Sequence, residues 1–100
     1  MNFWWNVESG TAKIYRVTIM CDRTISGALV TRLYADLAAI QLYPTFVTVT
    51  DEVTRGKCAV VTAECECASS NWEAVQQAVQ LLTALPHVDS AMWEIAGRST

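Results

Sequence analysis

The chain has 100 residues, a length that fits one domain with its own hydrophobic core. Apolar residues make up 52% of it and charged residues only 17%. We therefore expect apolar patches on the surface, and a protein partner or a dimer that covers them. The formal net charge of −3, without any basic run, argues against binding to nucleic acids, which depends on clustered lysine and arginine.

The chain contains four cysteines, Cys21, Cys58, Cys65 and Cys67. Cys65 and Cys67 lie two residues apart on a predicted strand, where their side chains run parallel and are poorly placed to bond to each other. We therefore interpret all four as reduced thiols that pack as small hydrophobic side chains in a cytoplasmic compartment.

Three consecutive aromatic residues, Phe3-Trp4-Trp5, stand near the N-terminus. They indicate either a terminus that is disordered or packed against the domain, or a segment at a membrane–water interface, where tryptophan is enriched. No apolar run approaches the roughly 20 residues that a membrane-spanning helix requires. The predicted divisions are a tail and linker over residues 1–12, one folded domain over residues 13–97 and a tail over residues 98–100.

The first strand is predicted over Lys13–Cys21, because its side chains alternate with the period of two expected of a strand with one buried face. A helix follows over Thr24–Tyr43, and Pro44 ends it because proline cannot continue a helix. The residues that we expect along the buried stripe of this helix are Leu29, Leu33, Leu37 and Ile40, widened by Ala28, Val30, Tyr34 and Ala38.

Two further strands are predicted over Thr45–Thr50 and Lys57–Cys67, and the short polar turn between them makes them a hairpin. A capping-box pattern at Ser70–Glu73 opens a second helix, Trp72–Leu85, whose apolar stripe starts at its first residue. Alternation returns over Val88–Ile95, which we predict to be the fourth strand.

The order strand, helix, strand, strand, helix, strand predicts an α+β, ferredoxin-like βαββαβ sandwich. In this fold the first and third strands are central in a four-stranded antiparallel sheet, and both helices cover one face. The other face stays open, and a partly apolar open face is typical of an interaction surface. The residues that we predict for this surface are Arg16, Thr18, Met20, Val60 and Thr62.

The residues carry little sign of catalysis or of metal binding. His87 is the lone histidine, and spacing places no nucleophile–base pair beside it. Cys21 lacks the second thiol of a Met-x-Cys-x-x-Cys metal loop, and the cysteines lack zinc-site spacing. On the open face, the third strand offers Val60 and Thr62 in place of the aromatic residues that stack RNA bases. We therefore expect no enzyme activity, no metal or cofactor and no nucleic-acid partner.

The loop after the first strand resembles the Asp-Arg-Pro-Gly-Leu type loop of ACT domains, with Asp22, Arg23 and Gly27 in the corresponding region. In that family the loop helps to hold an amino-acid effector at a dimer interface, and the helix N-terminus supplies amides for a carboxylate. Here the proline is missing and two residues are inserted before Gly27. The resemblance implies ligand binding by these three residues; the alternative is a plain strand-to-helix turn.

A second resemblance covers about residues 14–95. The strand Tyr15–Cys21 is similar to the strand that opens the C-terminal domain of the MgtC/SapB family of bacterial membrane proteins. The helix Trp72–Leu85 and the stretch Pro86–Trp93 are similar to that domain's closing helix and its Gly-Val-Ser-x-Val-x-Trp type strand, with His87 as a departure. The positions that match this closing motif are Val88, Asp89 or Ser90, and Trp93.

This resemblance implies a regulatory or protein-interaction role. The N-terminal half of the family is a bundle of membrane helices, linked to magnesium limitation, survival in macrophages and control of ATP synthase; the chain resembles only the cytoplasmic, ACT-like C-terminal domain of such an inner-membrane protein. Association with a membrane would then require a membrane half, with Phe3-Trp4-Trp5 near its boundary. We expect a protein partner, with a membrane protein or a second copy bound through the open face as candidates. The alternatives are a dimeric amino-acid sensor of ACT type and a small dimeric ferredoxin-like enzyme.

Overall fold

The computed structural model describes residues 12–52, 57–67 and 72–99. The strands are β1 (Ala12–Asp22), β2 (Pro44–Glu52), β3 (Cys58–Cys67) and β4 (Val88–Ser99), and the helices are α1 (Ser26–Ala39) and α2 (Trp72–Thr83). A short 3₁₀ helix, Arg23–Ile25, stands between β1 and α1. The sequence predicts the turn over Asp51–Gly56, but Asp51 and Glu52 belong to β2. Residues 53–56, the first residues of the capping box and Phe3-Trp4-Trp5 lie outside the described residues.

The four strands form one antiparallel sheet in the order β2-β3-β1-β4. This order confirms the predicted α+β, ferredoxin-like sandwich, with β1 and β3 at its centre. The pairing of β1 is regular over its middle, where Thr18 lies opposite Thr62 on one side and opposite Met92 on the other. The sheet therefore places residues of three strands in straight rows across its width.

The core lies between the helices and one face of the sheet. The odd-numbered residues from Tyr15 to Cys21 of β1 and from Ala59 to Cys65 of β3 are buried there, as the period of two predicts, and the stripes of both helices pack against them. Because both stripes belong to the same cluster, both helices cover the same face. The core residues of largest volume are Tyr15, Ile19, Leu33, Leu37, Leu42 and Leu82.

Helix α1 ends at Ala39, so the predicted end at Tyr43 is wrong. Gln41 adopts a left-handed conformation with φ of 64°. The amide of Gln41 donates to the carbonyl oxygen of Ala38 at 3.0 Å, and the amide of Leu42 donates to that of Leu37 at 2.8 Å. These two bonds make a Schellman motif, which turns the chain back onto the core before Pro44 is reached.

The buried stripes of both helices are narrower than predicted. Tyr34 is 44% exposed and Ala28 is also exposed, because α1 meets the sheet along one side only. Trp72, the predicted start of the buried stripe of α2, is likewise largely exposed. Helix α2 ends at Thr83, before the predicted end at Leu85.

The sheet extends beyond the predicted domain at both ends. Ala12 pairs with Ser99, so β1 begins inside the predicted linker and β4 continues past residue 97. The predicted tail over residues 98–100 is therefore wrong for Arg98 and Ser99, which belong to β4. Within the described ranges, neither helix has both the length and the apolar character that crossing a membrane requires.

The three cysteines whose side chains are described carry no disulfide bond. Cys21 and Cys65 are buried in the core, in agreement with their interpretation as small hydrophobic residues, and Cys58 is half-buried. Burial raises the pKa of the Cys21 thiol, and the nearby negative charges of Asp22 and Asp89 raise it further.

Candidate functional site

The sheet face opposite the helices carries the even-numbered residues of β1 and β3. Residues that lie directly opposite each other in an antiparallel pair point to the same face, so the register arranges these side chains in rows. Three successive rows run across the whole sheet from β2 to β4. They are Phe46, Glu64, Arg16 and Glu94; Thr48, Thr62, Thr18 and Met92; and Thr50, Val60, Met20 and Ser90.

The first row is built around one guanidinium group. Arg16 Nε donates to Glu64 Oε2 at 2.9 Å, and Arg16 Nη1 donates to Glu94 Oε2 at 3.2 Å. The hydrogen bond to Glu64 is the largest of the effects that raise the pKa of Arg16, and Glu94 adds to it. These groups are partly exposed, and exposed ion pairs contribute little to stability. The row therefore contributes little to the stability of the fold.

The second and third rows contain no charged residue. Hydroxyl groups and apolar side chains share them, and Met92 is 60% exposed at the outer end of the second row. Met20 and Val60 are half-buried near the middle of the third. The described helices leave this face of the sheet uncovered, and a partly apolar, uncharged face of this kind is typical of an interaction surface. We call these two rows the uncharged rows.

The structure brings together all five residues that the sequence predicts for the interaction surface. Arg16 lies in the charged row, Thr18 and Thr62 in the second row, and Met20 and Val60 in the third. The prediction omitted the contribution of β2 and the two glutamates beside Arg16. The strict alternation of β2 could have revealed its part of the face, which consists of Phe46, Thr48 and Thr50.

The three residues predicted to bind a ligand form the junction between β1 and α1. The Asp22 carboxylate accepts hydrogen bonds from the amide and hydroxyl of Thr24, at 2.9 and 2.8 Å, and caps the 3₁₀ helix. These bonds, the one from the amide first, lower the pKa of Asp22. Arg23 Nη1 lies 3.6 Å from Asp51 Oδ2, and both side chains are about half exposed. Gly27 lies in the first turn of α1, with open space where a Cβ would be.

A polar pocket of about 260 Å³ lies beside Asp22, where β1 ends and β3 and β4 begin. Cys58 Sγ donates to Asp89 Oδ2 at 3.7 Å, and the Asp22 amide donates to the His87 carbonyl oxygen at 2.9 Å. His87 has a positive φ of 67°, an uncommon conformation for a residue other than glycine. The residues that line this polar pocket are Asp22, Lys57, Cys58, His87 and Asp89.

Sequence reasoning missed the polar pocket because its residues come from three separate segments. The sequence predicts His87 to be an isolated loop residue, whereas the pairing of β1 with β3 and β4 brings it to Asp22 and Lys57. Arg23 and Gly27 do not line the pocket. Within the described ranges, no three histidine, cysteine, aspartate or glutamate side chains are placed to hold a metal ion.

Comparison with known proteins connects this architecture to a solved domain. No protein-family model matches the chain, and no curated protein matches it. The solution structure of the C-terminal domain of the MgtC protein from Mycobacterium tuberculosis matches with a TM-score of 0.77 at 12% sequence identity. The match covers 86% of this chain and 89% of that domain. The chain has the fold of the MgtC C-terminal domain.

The resemblance to the MgtC C-terminal domain that the sequence predicts is thus confirmed at the level of the fold. The match covers far more than one βαβ half, so the whole sandwich is shared. The shared fold implies an open sheet face in both domains. Because only 12% of the residues are identical, it does not determine which side chains occupy that face. The rows and the polar pocket described above are features of this chain's own residues.

Proposed function

We propose that this MgtC-type domain is a non-catalytic regulatory or interaction domain that binds a protein partner through its open sheet face. The observation that carries the proposal is the pair of uncharged rows, which lie on the sheet face opposite both helices. Contact with a partner would remove their apolar side chains from water, which contributes about 25 cal/mol for each Å² of apolar surface buried.

The charged row at the edge of this surface gives the contact an orientation. Glu64, Arg16 and Glu94 together carry one net negative charge, and Glu94 is the most exposed of the three. A partner with a basic group beside an apolar patch fits this arrangement. Charges at the rim of an interface select the partner and its orientation more than they add affinity.

The biological setting of the proposal rests on the family resemblance. We propose a cytoplasmic domain that acts with a membrane protein under magnesium limitation or during intracellular survival, as the resemblance to the MgtC/SapB family implies. The shared fold with the MgtC C-terminal domain supports this setting. A second copy of the chain is the other candidate partner for the open face.

Site-specific photocrosslinking in the native cell tests the open face. A photoreactive amino acid at Thr62 is expected to capture a protein, whereas the same residue at Leu81, which is 61% exposed on α2, is not. Val60→Lys, combined with the Thr62 probe, should abolish the product because it places a charge in the uncharged rows. Leu81→Lys is the matched control and should leave the product in place. Equal capture from both positions, or capture that Val60→Lys leaves unchanged, would contradict the proposal.

A second proposal, an amino-acid sensor, is favoured by the polar pocket. Its carboxylates, on Asp22 and Asp89, suit the ammonium group of a zwitterion, and Lys57 suits the carboxylate. This site shares only Asp22 with the three residues predicted from the sequence. The sensor would be a dimer if it followed the ACT resemblance.

Thermal unfolding in the presence of the standard amino acids, magnesium and nucleotides tests the sensor. A ligand at one hundred times its dissociation constant stabilises the fold by about 2.7 kcal/mol, which raises the midpoint by about 10 °C or more. Asp89→Asn should remove such a shift, whereas Arg23→Gln, outside the polar pocket, should leave it. Absence of a shift with every amino acid would contradict the sensor proposal.

A further inference from the structure

A second pocket lies on the helix side of the sheet and shares no residue with the polar pocket. Its volume is about 310 Å³, near the lower end of the range of about 300–1,000 Å³ that is usual for small-molecule sites. The 3₁₀ helix and the first two turns of α1 form one wall, and the turn between α2 and β4 forms the other. The residues that line this apolar pocket are Ile25, Ala28, Leu29, Arg32, Leu85 and Pro86.

The walls of the apolar pocket are hydrophobic because they belong to the margin of the core. Leu29 is buried, and Ile25 and Leu85 are half-buried and pack against the core cluster. Ala28 is exposed and contributes only a methyl group. Such walls suit the hydrocarbon part of a ligand, which leaves water when it binds.

Within the described ranges, Arg32 is the one charged residue that lines the apolar pocket. Arg32 Nε donates to Oδ1 and Oδ2 of Asp36, both at 3.1 Å, and this pair, one helical turn apart, orients the guanidinium group. The two Nη atoms of Arg32 donate to no acceptor in the part of the chain that the structure describes. A guanidinium group has enough N–H donors to bind a second carboxylate through them.

We propose that the apolar pocket binds a short aliphatic carboxylic acid. Its hydrocarbon chain would lie against Leu29 and Leu85, and its carboxylate would accept hydrogen bonds from the Nη groups of Arg32. Paired N–H···O bonds of this kind are among the strong ones in proteins. Because the Arg32 side chain is 47% exposed, the bound carboxylate would keep much of its hydration, which avoids the large cost of burying a charge.

The charge of the lining selects against other ligands of similar shape. An aliphatic amine would place its ammonium group beside the Arg32 guanidinium. An α-amino acid would bring an ammonium group for which the described lining offers no carboxylate. The ligand is therefore a simple acid, unlike the zwitterion that suits the polar pocket.

This site is independent of the proposed function. The apolar pocket lies on the helix side of the sheet, whereas the uncharged rows lie on the opposite face. It also uses none of Asp22, Arg23 and Gly27 and needs no second copy of the chain. The two proposals can therefore fail separately.

Titration with octanoate, followed through the backbone amide signals in NMR spectra, tests the proposal. Octanoate should shift the signals of residues around the apolar pocket, Leu29 and Leu85 among them. Octanol, which has the same chain length, should bind at the same place about tenfold more weakly, because it cannot form charge-assisted bonds with Arg32. Octylamine should bind more weakly than octanol, because its charge is repelled.

Three variants separate the charge from the apolar contact. Arg32→Gln should lower the affinity for octanoate about tenfold and leave that for octanol unchanged. Arg23→Gln, the matched control outside the apolar pocket, should change neither affinity. Ala28→Phe fills the pocket from an exposed position and should abolish binding of both ligands, with circular dichroism to check that each variant is folded.

Four results would overturn the proposal. They are absence of binding up to the solubility limit of octanoate, signal shifts confined to another surface, equal affinity for octanoate and octanol, and an octanoate affinity that Arg32→Gln leaves unchanged.

Discussion

At the scale of one residue, Asp22 shows how one side chain can accept the hydrogen bonds of a helix start. Its carboxylate accepts two hydrogen bonds from Thr24 and so begins the 3₁₀ helix that precedes α1. A carboxylate at a helix start is favourable because the amides there have no partner within the helix. The same side chain forms one wall of the polar pocket, so any ligand there would have to share it.

The lowered pKa of Asp22 predicts an acid-dependent loss of stability. The bonds from Thr24 favour the ionised form in the folded state, so the contribution is complete above the ordinary aspartate pKa of about 3.9. It is lost as the pH falls through the lower folded-state pKa. Asp22→Ala should therefore be less stable than the parent near neutral pH, and denaturant unfolding should show the difference shrinking in acid.

Asp22→Asn is the control, since its amide oxygen can still accept from Thr24 but carries no charge. It should keep part of the stability and show a weaker dependence on pH. A stability difference between parent and Asp22→Ala that is as large in acid as at neutral pH would mean that the charge of Asp22 is not involved.

At the scale of an element, the end of α1 is decided by a residue that is poorly suited to its conformation. Gln41 has a positive φ, which glycine adopts without steric cost and other residues do not. The apolar contact that accompanies a Schellman motif is available here, because Leu37 and Leu42 are both buried. The burial of Leu42 holds Gln41 in place.

Gln41→Gly is therefore expected to stabilise the protein by about 1 kcal/mol, because it relieves the left-handed conformation. Gln77→Gly is the matched control on the exposed side of α2, where glycine should destabilise by about 1 kcal/mol. Urea unfolding of both variants measures the two changes. Destabilisation by both substitutions would contradict a left-handed Gln41.

At the scale of the whole molecule, one core joins both helices to one face of the sheet. Leu33 of α1 is fully buried there, whereas Leu81 of α2 is 61% exposed. The open face contributes little to this core, so changes on it should alter binding without unfolding the domain. Because the face that stabilises the domain is separate from the face proposed to bind a partner, surface substitutions can test binding without unfolding the protein.

Two leucine-to-alanine substitutions test this division. Leu33→Ala should lower the free energy of unfolding by about 2–5 kcal/mol, because it leaves a cavity between α1 and the sheet. Leu81→Ala should change it by less than about 0.5 kcal/mol. Denaturant titration of both variants gives the comparison, and similar losses for the two would contradict the position of the core.

Patterns along the chain are sufficient to predict the fold class and much of the open face. Alternation in β1 and β3 and the leucine stripe of α1 predict which sides are buried, because these periods are properties of the local backbone. The strand order follows from the order of the elements and the preferred connections between them. The residues that these patterns place correctly on one surface are Arg16, Thr18, Met20, Val60 and Thr62.

The meeting of residues that are distant in the chain depends on tertiary packing instead. The register of β1 with β3 and β4 sets Arg16 between two glutamates and brings His87 to Asp22. The exposure of Tyr34 likewise depends on the width of the contact between α1 and the sheet. Periodicity repeats within a few residues and can be read locally, whereas register and contact width depend on how the whole core packs.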